Sequence, residues 1–354
     1  MEDVTRWIVK GVDISIICAE YRASIIEKCK ARTILNSDEE LALSHVFLFQ
    51  EEKLQGLREF FDNELWQCIF SEIRTQYSYI EIPECVFDLC ATVVKVASKQ
   101  QDPRQRRNKI KSYLKSYKTN GEFEEIMRDI LYNLSDSYQN SFVKTNKIEG
   151  THCHNYLDSV IKPFFPEGKK TTMDWANRTS ESSAWIKKQF VPILLGSKPD
   201  FTIRTTNPRK SIELMFAEIK PPNARSNLVN EDLVVLGKMM RASLDKSLND
   251  GVDIVICGLH VIGYIGRCYV IDLLYDGIYR LILIGEFRFP EDPTTWGTLM
   301  NCFQVMATVQ DLVNKGATKY QNLIRKNTNQ VTPTNLKFRK PMFSSPIKIH
   351  YDYS

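Results

Sequence analysis

Three residues in this sequence have the types and spacing for hydrolytic chemistry. Asp200 follows Lys198-Pro199, and after seventeen intervening residues stand Glu218, Ile219 and Lys220. Both groups fall in β-like runs, KPDFTIR at 198–204 and SIELMFAEIK at 211–220. Alternate residues of a strand share a face, so Glu218 and Lys220 point the same way. A hairpin between the two strands brings the Asp200 carboxylate beside that of Glu218. Two adjacent carboxylates repel unless a cation lies between them. A hard divalent ion, Mg²⁺ or Mn²⁺, suits oxygen ligands of this kind. Lys220 would then orient or deprotonate a water, or stabilise negative charge developing on a phosphate. The bland alternative also stands: acids at strand ends are commonly solvated, and Lys220 could simply pair with Glu218.

Other groups carry less. His152-Cys153-His154 has the look of a metal ligand set, but no second ligand pair lies near it in sequence, and a polar helix start explains it better. Cys85 and Cys90 read as core residues. Trp175 reads as a core aromatic before a base-stacking platform. No GxxxxGK[ST] loop, no GxGxxG after a strand and no GxSxG occurs, which leaves P-loop, dinucleotide and serine-hydrolase readings without support.

Two basic stretches complete the inventory. Arg104 to Lys118 holds seven Lys or Arg residues, two tyrosines and no acid. Arg104, Arg106, Arg107, Lys109 and Lys111 are the candidates here for phosphate contacts, with the tyrosines available to stack on bases. A nuclear import signal or a solvated helix face would look similar. From Leu312 to Tyr351 there are eight Lys or Arg and no acid, in a context rich in Asn, Thr, Pro and Ser. That stretch reads as an extended basic arm. Lys238 and Arg241 follow the acidic motif and could approach the scissile phosphate, or form exposed surface.

The elements that must position these residues divide near residue 145. Before it, Asp38–Leu48, Glu51–Arg74 and Glu122–Tyr138 show apolar residues at spacings of three and four, the mark of helices. After it, Pro, Gly and β-branched runs appear. The spacing predicts a helix at Thr151–Ile161, a strand at Thr171–Asn177 and the two motif strands. It then predicts a helix over Glu231–Leu248 and a strand at Asp253–Ile262. Arg267–Leu274 and Ile278–Phe287 form a hairpin around Asp276-Gly277, and Thr294–Val313 forms a closing helix. The expected fold is α+β: a helical region over 1–145, an α/β core over 146–315 with a mixed sheet flanked by helices, and a basic tail over 316–354.

Bulk properties fit an ordinary globular chain. The 354 residues are 43% hydrophobic and 25% charged, with a net charge of +4. No apolar run reaches the length of a membrane span, and the N-terminus lacks the apolar core of a secretory signal. Nine cysteines without a Cys-x-x-Cys pair read as free thiols, so an intracellular and reducing location is expected, with the basic run compatible with the nucleus.

The Pro199-Asp200…Glu218-x-Lys220 pattern, in this order of elements, resembles the PD-(D/E)XK nuclease superfamily. The resemblance implies metal binding by Asp200 and Glu218, a water-directing Lys220, and a further Glu on the first core helix. Glu149 is the candidate for that position and Glu181 the alternative. The segments TTMDWANRTSES, KPDF, FAEIKPP, LGKMMRASLD and YVIDLLYDGIYR are also similar to a set of PD-(D/E)XK-like proteins of early-diverging fungi, over about residues 145–315. The implied function is a metal-dependent nuclease acting on DNA. The alternatives are a nuclease-like module that binds nucleic acid or a protein partner without cutting, and a helical interaction protein on an α/β scaffold. In either alternative the helical half could take a protein partner.

Overall fold

The computed structural model describes residues 5–52, 56, 59–137, 157–168, 170–175, 178–190, 196–206, 210–222, 224, 226–291 and 293–326. Among them are ten α-helices and two β-sheets. The larger sheet has seven strands: β3 (Val46–Phe49), β4 (Thr171–Trp175), β5 (Phe201–Thr205), β6 (Glu213–Lys220), β7 (Ile256–Ile262), β8 (Ile265–Tyr275) and β9 (Ile278–Arg288). They lie in the order β3-β9-β8-β7-β6-β5-β4. A short hairpin, β1 (Ile8–Val9) with β2 (Val12–Asp13), makes the second sheet.

Strands β4, β5 and β6 form an antiparallel meander. Helix α9 (Ser226–Asn249) then crosses over and returns the chain to β7, which runs parallel to β6. Strands β8 and β9 follow as a hairpin, closed by Gly277 in the left-handed region at φ 76°.

Helices cover both faces of the sheet. On one lies α9, packed so close to β7 that a Cβ at Gly258 would meet the Met240 sulfur at 2.4 Å. On the other lies α10 (Leu299–Lys326), where Met306 Sδ is 3.8 Å from Cys268 Sγ and Val305 packs against Gly285. The α9 face also carries α2 (Ser37–Leu43) and α8 (Glu181–Phe190). The α10 face carries α4 (Glu84–Ser98), α6 (Glu122–Ser137) and the short α7 (Asp158–Ile161). Helices α1 (Ile14–Lys30), α3 (Asn63–Gln76) and α5 (Pro103–Ser116) complete the set.

The expected elements after residue 170 are present, and three expectations need correction. The N-terminal region is not wholly helical. The run Val46–Phe49, inside the expected helix Asp38–Leu48, is a strand paired in parallel with β9. His45 in the left-handed region at φ 55° ends α2, and four consecutive buried apolar residues suit a sheet position covered on both faces. In the second run, Glu51–Arg74, the helix begins only at Asn63, where Asp62 caps the Leu65 amide. Third, residues 312–326 belong to α10 and not to an extended arm. Residues 327–354 lie outside the described ones.

The N-terminal segment is also fastened to the sheet by side chains. Arg280 on β9 is fully buried and makes two hydrogen bonds to Asp272 on β8 (2.8 and 2.7 Å) and one to Gln76 (2.7 Å). Its guanidinium lies over the Trp7 ring at 4.9 Å, and Trp7 stacks on Tyr275 at 5.1 Å.

Candidate functional site

The β5–β6 hairpin brings Asp200 against the stretch of β6 that carries Glu218. Phe201, the first residue of β5, pairs with Ala217, and Asp200 immediately precedes it. The Asp200 amide donates to Ala217 O at 3.0 Å, and one carboxylate oxygen accepts the Ile219 amide at 2.7 Å. Asp200 is thus fixed against β6 at the peptide that follows Glu218. Glu218 itself is buried, at 6% exposure.

From Glu218 the pairing continues across three more strands. Glu218 pairs with His260 on β7, His260 with Arg267 on β8, and Arg267 with Glu286 on β9. Paired residues face alike, so Glu218, His260, Arg267 and Glu286 form one polar row. The row lies on the α9 side, since Gly258, two residues before His260, faces Met240 and Leu236 of α9. Arg267 and Glu286 close the row at the surface with an ion pair of 2.6 Å. His260 is 2% exposed, and among the described residues neither ring nitrogen meets a hydrogen-bond partner. Burial, aided by the nearby Arg267 and Lys220 charges, lowers its pKa to about 4, which keeps the imidazole neutral.

Lys220 shares this face, at the end of β6. Its ammonium lies 3.2 Å from an Asp232 oxygen on the second turn of α9. The crossover places the start of α9 beside the C-terminal ends of β6 and β7, which is why an acid at 232 reaches a lysine at 220. Among the described residues, no group of three or more His, Cys, Asp or Glu side chains is placed to hold a metal ion.

The remaining candidates fall elsewhere. Glu149 and His152-Cys153-His154 lie outside the described residues. Glu181 opens α8, where it pairs with Arg178 at 2.8 Å and accepts from the Ser211 hydroxyl at 2.9 Å. Lys238 pairs with Glu40 of α2 at 2.9 Å. Arg241 is largely buried. It donates to Ser44 O, lies over the Tyr279 ring at 4.5 Å and is 3.5 Å from Asp245. Both residues therefore tie α9 to the N-terminal segment. Trp175 packs on Phe201 at 4.8 Å between ring centres.

The basic run forms α5, and the structure separates its members. Arg106 donates to the carbonyls of Ala97 and Gln100 and so caps the end of α4. Arg107 and Lys111 both pair with Asp136 of α6, at 2.7 and 2.6 Å. Arg104 and Lys109 are exposed. Helix α5 packs on α4 and α6, on the α10 side of the sheet and so opposite the polar row.

Sequence reasoning missed His260, Arg267 and Asp232. His260 and Arg267 sit in apolar runs with no motif to mark them, and only the register aligns them with Glu218. No protein-family model matches the chain, and neither a curated protein nor a solved structure does. No helix among the described residues is long and apolar enough to cross a membrane.

Proposed function

We propose that this protein is a metal-dependent phosphodiesterase acting on DNA, of the PD-(D/E)XK type. The observation that carries the reading is the anchoring of Asp200 to β6 at the two residues that flank Glu218, Ala217 and Ile219. A second support is the chain order. An antiparallel meander, a crossover helix and a parallel fourth strand are what that superfamily's core requires, and the chain supplies them in that order, with α8 inserted between β4 and β5.

The donor set fits a hard divalent ion in kind. Asp200 accepts the Ile219 amide through one carboxylate oxygen, and Glu218 supplies a second carboxylate. Two protein carboxylates suit Mg²⁺ or Mn²⁺, since Mg²⁺ keeps several waters in its shell. Such an ion, when bound, supplies charge neutralisation at a phosphate and acidity to a bound water.

The protein's own residues do the rest. The Ile219 amide holds the Asp200 carboxylate in place, so little reorganisation is needed on binding. Asp232 holds the Lys220 ammonium at the end of β6. An ammonium has only donors, so Lys220 serves negative charge on phosphate oxygens or orients a water, and does not accept a proton.

The test uses the full chain with plasmid DNA and Mg²⁺ or Mn²⁺, alongside calorimetric titration of each ion. Cleavage that disappears in both Asp200→Asn and Glu218→Gln, together with loss of ion binding, is the expected result. DNA binding without cleavage, and ion binding unchanged in both variants, would replace the enzyme by a binding module.

A further inference from the structure

We infer that the outer face of α5 is a second DNA contact, one that holds the phosphate backbone of a duplex without reading bases. This deepens the proposed function by naming the form of its polymer. Once Arg106, Arg107 and Lys111 are assigned to contacts within the protein, the cations that remain are Arg104, Lys109, Lys115 and, just past the helix, Lys118. All four are exposed, and none forms an ion pair among the described residues. Lys99, at the end of α4, is exposed beside them. Asn108 and Ser112 are exposed between the cations, and such side chains also donate to phosphate oxygens. The nearest acid in sequence, Asp102, is engaged as the helix cap, accepting from the Gln105 amide at 2.7 Å.

The helix is straight chain with a rigid spacing. Arg104 to Lys115 spans about 16 Å at 1.5 Å per residue, the rise of about five base pairs. The two tyrosines do not offer stacking platforms. The Tyr117 hydroxyl donates to Glu124 at 2.8 Å, its ring lies 6.0 Å from that of Tyr113, and both rings are partly buried. Single strands are held by exposed aromatic rings combined with charge. A face with charge and hydroxyls alone fits a duplex backbone, and the binding is independent of sequence.

Position gives the surface a distinct role. Helix α5 lies on the α10 side of the sheet and the Glu218–His260 row on the α9 side. One short oligonucleotide cannot occupy both, so α5 adds affinity for long polymer and leaves the chemistry of short substrates alone.

The experiment measures binding by fluorescence anisotropy in EDTA, so that it is independent of cleavage. The probes are a 40-base-pair duplex and a 40-nucleotide single strand, each over a series of salt concentrations. The comparison is between the natural chain and R104Q/K109Q/K115Q/K118Q, with folding checked by circular dichroism. The natural chain is expected to prefer the duplex. Removing four contacts is expected to flatten the slope of log affinity against log salt by about 3 to 4. An unchanged slope, a preference for the single strand, or no duplex binding by the natural chain each overturns the inference. A natural chain that binds but cuts nothing with Mg²⁺ or Mn²⁺ would remove the proposed function and leave this surface standing. A variant that still cuts, with its binding slope intact, would do the reverse.

Discussion

The carboxylate of Asp200 accepts the backbone amide of Ile219 at 2.7 Å, and so a residue proposed to hold an ion also holds the strand that carries its partner, Glu218. The two duties separate by substitution. Asp200→Ala removes the acceptor and leaves a partly buried amide unpaired, which costs about 1–3 kcal/mol. Asp200→Asn keeps an acceptor and loses only the charge, so urea denaturation should show a smaller loss for Asn than for Ala. Both should lose divalent-ion affinity in calorimetry. Equal stability of the two variants would show that the Ile219 bond contributes nothing.

Lys220 and Asp232 are coupled across β6 and α9, with side-chain exposures of 18% and 15%. Removing the ammonium should leave DNA and ion binding nearly intact, while cleavage falls by about 10²-fold or more. A double-mutant cycle with Lys220→Met and Asp232→Asn measures the pair directly in urea. A coupling energy of about 0.5–3 kcal/mol is expected for charged neighbours of this kind. Cleavage unaffected by Lys220→Ala would remove the lysine from the chemistry.

Much of this site was legible in the sequence because strand periodicity and a short connection fix it locally. The period of two places Glu218 with Lys220, and the β5–β6 hairpin brings Asp200 to the same end of the sheet, although a bulge between Ile203 and Arg204 shifts the register by one. What was not legible depends on long-range register. His260 joins the row only through a parallel crossover, and Arg267 only through the next hairpin. The strand at Val46–Phe49 was hidden for another reason: a short apolar run reads equally as buried helix or buried strand, and its partner, β9, lies more than 200 residues away. The basic helix was visible as charge, but its division into capping, paired and free cations needed α4 and α6 in place.

The attachment of the N-terminal segment sets a test of domain independence. Strand β3 completes the β9 edge, and Trp7, Gln76 and the buried Arg280 join the segment to the sheet. Arg280→Ala leaves Asp272 buried and uncompensated, at a cost of about 3–5 kcal/mol. A chain beginning at residue 146 exposes the same groups and should fail to unfold cooperatively in a thermal scan. Cooperative unfolding of that fragment would show that the core stands without β3 and Trp7.

Two buried histidines give the protein an acid-sensitive stability. Burial lowers the pKa of both His45 and His260 to about 4, with Arg241 and Arg22 adding to it at His45 and Arg267 and Lys220 at His260. The unfolded chain, with an ordinary histidine pKa near 6.5, binds these protons first. Stability is therefore full above pH of about 6.5, declines as the pH falls, and stops declining from this cause below about 4. Asp38 and Asp245 act in the opposite sense, because burial raises their pKa and protonation then favours the folded form. His260→Asn removes one of the two depressed sites while keeping a polar group of similar reach. Urea midpoints measured from pH 7.5 to 4.5 should fall less steeply in that variant than in the natural chain. Parallel curves for the two proteins would show that His260 is protonated in the folded state, and that the neutral, buried imidazole beside Glu218 is wrong.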